Sequence, residues 1–121
     1  MHAVALTHAF IRAAKQARMT EDEIDDLVDF LARNPTAGVE IAGTGGCRKV
    51  RFAGRGKGKS GGYRTITFYT GTRLPLFLIT VFSKGERSNL SKAECNSLRA
   101  TTKAIVAEYL DKVATMAKKG A

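Results

Sequence analysis

At 121 residues the chain fits one compact domain and leaves little room for a second with a core of its own. Its 20 Lys and Arg against 11 Asp and Glu give a net charge of +9, which points to a polyanionic or acidic partner. The charge is unevenly spread: residues 1–46 carry 4 bases and 7 acids, residues 47–73 carry 8 bases and no acid, and residues 74–121 carry 8 bases and 4 acids. No carboxylate lies between Glu40 and Glu86, which excludes from that stretch both paired Asp/Glu acid–base chemistry and an all-carboxylate metal cage.

Val4–Leu6 reads as a strand, followed by a short amphipathic helix in which Phe10, Ile11 and alanines 13, 14 and 17 alternate with Arg12, Lys15 and Arg18. Thr20 to Glu23 is a capping box with Met19 and Ile24 as its hydrophobic staple. Ile24, Leu27, Val28 and Leu31 then mark one buried stripe of a helix that Asn34-Pro35 ends. Its acids, Glu21, Asp22, Glu23, Asp25, Asp26 and Asp29, read as a solvated face and as favourable charges at the helix start. Eight of the 12 glycines fall between Gly43 and Gly62 and separate segments with strand character: residues 48–53 alternate, residues 63–70 are β-branched and aromatic, and residues 76–82 are apolar on both faces. Gly71-Thr72-Arg73 makes the turn between the last two. Ser91 to Glu94 is a second capping box, and Leu98, Ile105, Val106, Tyr109, Leu110 and Val113 trace a long C-terminal helix. The expectation is an α+β fold, residues 1–121 as a single domain, with a small antiparallel sheet of three to four strands, two N-terminal helices and a long C-terminal helix.

The longest apolar run, residues 74–82, is far short of the roughly 20 residues that span a bilayer. The N-terminus has no Lys or Arg before Arg12 and so lacks the charged start of a secretory signal; the expected location is cytoplasmic, away from the membrane. Cys47 and Cys95 have no clustered spacing and read as reduced core residues; no Cys/His group has zinc spacing, so neither metal nor cofactor is expected.

Residues 53–60 formally match a relaxed phosphate-loop pattern ending in Gly58-Lys59-Ser60. That pattern works only where a helix begins at the Lys-Ser, whereas here a strand follows. What remains is a glycine-rich basic hairpin: Arg48, Lys49, Arg51, Arg55, Lys57, Lys59 and Arg64 fall within 17 positions, flanked by Tyr63, Phe68 and Tyr69 as candidate stacking surfaces. A single-signed, glycine-interleaved run of this kind favours nucleic acid over a merely solvated face. His2 and His8 lie far from it in sequence, His2 at an end expected to fray.

Three segments, residues 43–51 (Gly-Thr-Gly-Gly-Cys-Arg-Lys-Val-Arg), 56–64 (Gly-Lys-Gly-Lys-Ser-Gly-Gly-Tyr-Arg) and 78–86, with the stretch from Leu31 to Gly38 before them, closely resemble the HigB-like branch of the RelE/ParE toxin superfamily. The resemblance spans residues 20–100 and implies a RelE-like fold. It further implies the toxin of a type II toxin–antitoxin pair that cuts messenger RNA in the ribosomal A site as a metal-independent endoribonuclease. A cognate antitoxin, expected to be a helix-turn-helix protein, would neutralise it. By position it implies Lys49, Arg51, Arg64 and Lys84 as catalytic residues, with Arg64 first for phosphate stabilisation, and Arg48, Arg55, Lys57, Lys59 and Arg87 as RNA contacts. Better-known RelE members carry a further arginine and a tyrosine where this chain has Gly85 and Ser91, and HigB-like relatives often have Tyr in place of Phe82, so the proton-transfer residue is unassigned. The alternative within the same superfamily is a non-catalytic chain: a ParE-like inhibitor of DNA gyrase or an RNA-binding relative without cleavage.

Overall fold

The computed structural model describes residues 1–54, 62–83 and 90–120, with side chains to residue 115. The chain forms two units, one of residues 1–42 and 46–89, the other of residues 43–45 and 90–121.

In the first unit, strand β1 (Val4–Leu6) leads directly into helix α1 (His8–Gln16), because Thr7 is extended and its hydroxyl accepts from the Phe10 amide as an N-cap. Helix α1 closes in a Schellman turn: the Met19 amide reaches the Ala14 carbonyl, the Arg18 amide reaches Lys15, and Arg18 adopts φ +62°. Helix α2 (Glu21–Arg33) starts at the expected capping box, with both reciprocal bonds formed between Thr20 and Glu23, and ends at Asn34.

Strands β2 (Val39–Glu40), β3 (Cys47–Phe52), β4 (Tyr63–Phe68) and β5 (Leu76–Ser83) complete a five-stranded sheet in the order β1-β5-β4-β3-β2. The β3–β4–β5 meander is antiparallel, as expected, and β2 adds antiparallel to β3. The sheet is nevertheless mixed and larger than three or four strands, because β1 runs parallel to β5. A parallel neighbour needs a long crossover, and here everything from α1 to β4 lies between the two strands.

Residues of both helices cover one face of the sheet: Phe10 and Ala14 of α1 and Leu27 and Leu31 of α2 form the core with Val50, Leu76, Leu78 and Val81. Burying a side chain of this size contributes about 2 kcal/mol. Simple alternation along β5 would put Leu76, Leu78, Thr80 and Phe82 on that face. The pairing instead shifts between Ile66 and Thr67, which oppose Thr80 and Leu78, so Ile79 is an extra residue in β5 and Val81 replaces Thr80 on the core side. Thr7 holds this bulge, its hydroxyl 2.8 Å from the Leu78 carbonyl and 3.2 Å from that of Ile79.

The N-terminus does not fray. The His2 amide donates to Ala32 at 2.8 Å, its ring Nε2 lies 2.9 Å from the Leu74 carbonyl, and the ring packs edge-on against Tyr69. In the second unit, helix α3 (Lys92–Gly120) begins at the expected Ser91–Glu94 capping box, with Leu98 and Thr102 buried and Leu110 and Val113 exposed. No helix among the described residues is long and apolar enough to cross a membrane.

Candidate functional site

Alternation along β3 places Cys47, Lys49 and Arg51 on one side and Arg48, Val50 and Phe52 on the other. The register with β4 extends both sets. Lys49 opposes Ile66 and Arg51 directly opposes Arg64, while Val50 opposes Thr65 and Phe52 opposes Tyr63. Val50 belongs to the helix-covered core, so Lys49, Arg51 and Arg64 share the opposite face, together with Ile66 and Phe82. Of the four positions expected to be catalytic, the structure brings these three together. Lys84 lies outside the described residues, as do Arg55, Lys57, Lys59 and Arg87 among the expected RNA contacts. Arg48 stands on the helix-covered face, where its guanidinium donates to the Thr36 carbonyl at 3.3 Å.

Two arginines directly opposite each other on neighbouring strands have Cβ atoms only about 5 Å apart, an arrangement that repels. The repulsion is sharpened because Arg64 is only 5 % exposed, whereas Arg51 is exposed and Lys49 half-buried. None of β3, β4 and β5 contains an acid. Such a cluster suits a group that carries several negative oxygens: planar guanidinium forks take two oxygens each, and a lysine adds a compact third charge. Lys49 and Arg51 also line a hollow of about 500 Å³ at the sheet edge, with Phe30, Ala37, Gly38, Val39 and Val50.

The aromatic residues expected to stack on bases serve the fold. Phe68 is buried and packs against Phe77, Tyr69 against His2, and the Tyr63 ring against the core on the helix-covered face. Residues 55–60 of the phosphate-loop match lie outside the described residues; the described chain after Gly62 is strand β4.

Glu23 departs from the expected solvated acidic face. It is 4 % exposed, and its Oε1 accepts from the Thr20 amide at 3.0 Å and from the Tyr63 hydroxyl at 3.1 Å. Burial first, and then the bond to Glu23 and its negative charge, raise the Tyr63 pKa above its ordinary value of 10.0, so the phenol stays a donor at neutral pH. The signal for this contact was present in the sequence. Glu23 precedes Leu27 by four residues and Leu31 by eight, which puts it on the buried stripe of α2. Gly54, at φ +75°, passes directly beneath this pair: a Cβ there would fall within 2.4 Å of Glu23 Oε2 and 2.9 Å of the Tyr63 ring.

The chain matches, over residues 3–121, the family described as the RelE toxin of the RelE/RelB toxin–antitoxin system. Among solved structures it is similar to a double arginine-to-alanine mutant of the E. coli toxin RelE in its free state, at a TM-score of 0.50 and 16% identity, covering 84% of this chain and 96% of that one. At that identity the likeness speaks to the fold.

Proposed function

The chain belongs to the RelE toxin family, and on that premise we propose that it is a ribosome-dependent, metal-independent messenger RNA endonuclease, acting in the cytoplasm and restrained by a cognate helix-turn-helix antitoxin. The observation that carries this reading is the pairing of Arg51 with Arg64 on strands that contain no acid, with Lys49 on the same face. In cleavage of this class the 2′ oxygen attacks the adjacent phosphorus, the bond to the 5′ oxygen breaks, and one proton leaves the 2′ hydroxyl while another reaches the departing oxygen. The phosphorus passes through a five-coordinate state with extra negative charge on its oxygens. Preorganised cations stabilise that state more than the ground state, which is what accelerates a reaction.

In this reading Arg64, fixed by burial, takes the phosphate oxygens, Arg51 shares the developing charge, and Lys49 holds the adjoining backbone. Lys84 completes the catalytic set, and the cations Arg55, Lys57, Lys59 and Arg87 add contacts along the strand, whereas Arg48, on the helix-covered face with its guanidinium on the Thr36 carbonyl, is left out of this RNA track. The ribosome supplies the alignment of message and sugar. Phosphate contacts to a single strand give a log–log salt slope of roughly 0.7 per contact, so single substitutions among the outer cations weaken binding slightly and alike.

The test is to induce the protein in cells and map the 5′ ends of messages, with Arg64→Ala in parallel. Codon-phased cuts that disappear in the variant support the nuclease. Stalled replication with intact messages overturns it in favour of gyrase inhibition.

A further inference from the structure

Tyr63 and Arg64 are consecutive in β4 and therefore point to opposite faces of the sheet. On the helix-covered face, the Tyr63 hydroxyl is tied at 3.1 Å to Glu23, a carboxylate already fixed by its capping bond to Thr20 at 3.0 Å. On the other face stands Arg64, opposite Arg51. The strand end is held sterically as well. Gly54, two residues beyond the Phe52 that opposes Tyr63, fits beneath the Glu23–Tyr63 contact only because it has no side chain. A buried acid on a helix thus anchors the first residue of the strand whose second residue carries the central cation.

We propose that Glu23 and Tyr63 are a positioning pair for Arg64: through β4 they fix the place at which the Arg64 guanidinium meets a phosphate. The inference rests on the reading of Arg64 as a phosphate contact given above. The pair touches no RNA. It acts by holding the backbone of residue 63, and mutual repulsion between Arg51 and Arg64 is the force it has to resist.

A mutant cycle tests this with the full chain and a short single-stranded RNA as the probe, read by fluorescence anisotropy. Tyr63→Phe keeps the ring and removes only the hydroxyl; it is expected to weaken RNA binding about fivefold when Arg64 is present and to have no effect in the Arg64→Ala background, since coupled residues fail to add. Glu23→Gln retains an oxygen acceptor for both bonds and a residue suited to the capping box, and is expected to bind within twofold of wild type, whereas Glu23→Ala loses both bonds. Equal losses from Tyr63→Phe in the two backgrounds would mean a general structural role and overturn the proposal, as would Glu23→Gln behaving like Tyr63→Phe. Failure of the nuclease reading is separable: a wild type that binds this RNA through Arg64 but leaves messages uncut refutes cleavage while the cycle still reads positioning.

Discussion

Two clusters on the two faces of the sheet obey opposite rules. On the helix-covered face Val50, Leu76, Leu78 and Val81 meet Phe10, Leu27 and Leu31, and each neighbour adds to the stability of the others. On the opposite face Arg51 and Arg64 meet across one register step, and each raises the cost of the other. A fold selected for stability alone has no use for a like-charge pair of which one member, Arg64, is only 5 % exposed. The contrast teaches where the molecule stores stability and where, on the proposed reading, it gives some up for a phosphate.

The largest effect should come from the stabilising face. Leu78→Ala removes a fully buried side chain from the core and is expected to cost about 3 kcal/mol, with a fall in Tm of more than 10 °C in a thermal melt. On the cationic face Arg51→Ala should do the reverse. It relieves repulsion and exposes no core, so Tm should hold or rise slightly while message cleavage drops by about tenfold or more. A loss of Tm comparable to that of Leu78→Ala would break the distinction between the faces.

Much of this was legible in the sequence, for identifiable reasons. Both capping boxes, the stripe of α2 and the three-strand meander follow from local chemistry and short-range periodicity, and all stand. The common face of Lys49, Arg51 and Arg64 follows from alternation together with register, and only the register had to come from the structure. The parallel β1–β5 pair and the Ile79 bulge were not legible, because both are settled by partners some seventy residues apart in the chain, including the Thr7 hydroxyl on the Leu78 carbonyl. The burial of Glu23 was legible in its spacing from Leu27 but was masked by the acids around it. His2 gave no sign of its anchoring, since its partners, Leu74 and Tyr69, are brought to it only by the sheet.

Even the stabilising face has a flaw that sharpens the contrast. Thr67 lies on β4 opposite Leu78, and its hydroxyl oxygen is buried with no hydrogen-bond partner among the described residues. Thr67→Val keeps the branched shape and removes the orphaned group, and should stabilise by about 1 kcal/mol in a denaturant titration. Tyr63 tests the contrast through pH. Its pKa is raised on folding, so its contribution is fully present below pH 10, the unfolded value, and is lost as pH rises through the folded one. Between pH 9 and 11 wild-type Tm should therefore fall more steeply than that of Tyr63→Phe, and parallel curves would place the phenol outside the linkage.

The smallest effect separates strain that serves function from strain that serves only chain direction. Arg18 holds φ +62° at the position where a Schellman turn ordinarily takes glycine, in the turn between α1 and α2. A side chain there has an unfavourable backbone conformation to maintain, and Arg18 is exposed, so no buried packing repays it. Arg18→Gly relieves that strain but gives the unfolded chain more freedom, and the two effects largely offset. The expected net gain is about 0.5 kcal/mol, with message cleavage unchanged, read by denaturant midpoint and 5′-end mapping on the same preparation. A gain in stability accompanied by loss of cleavage would show that the α1–α2 turn gives up stability for activity, as we propose for the Arg51–Arg64 pair.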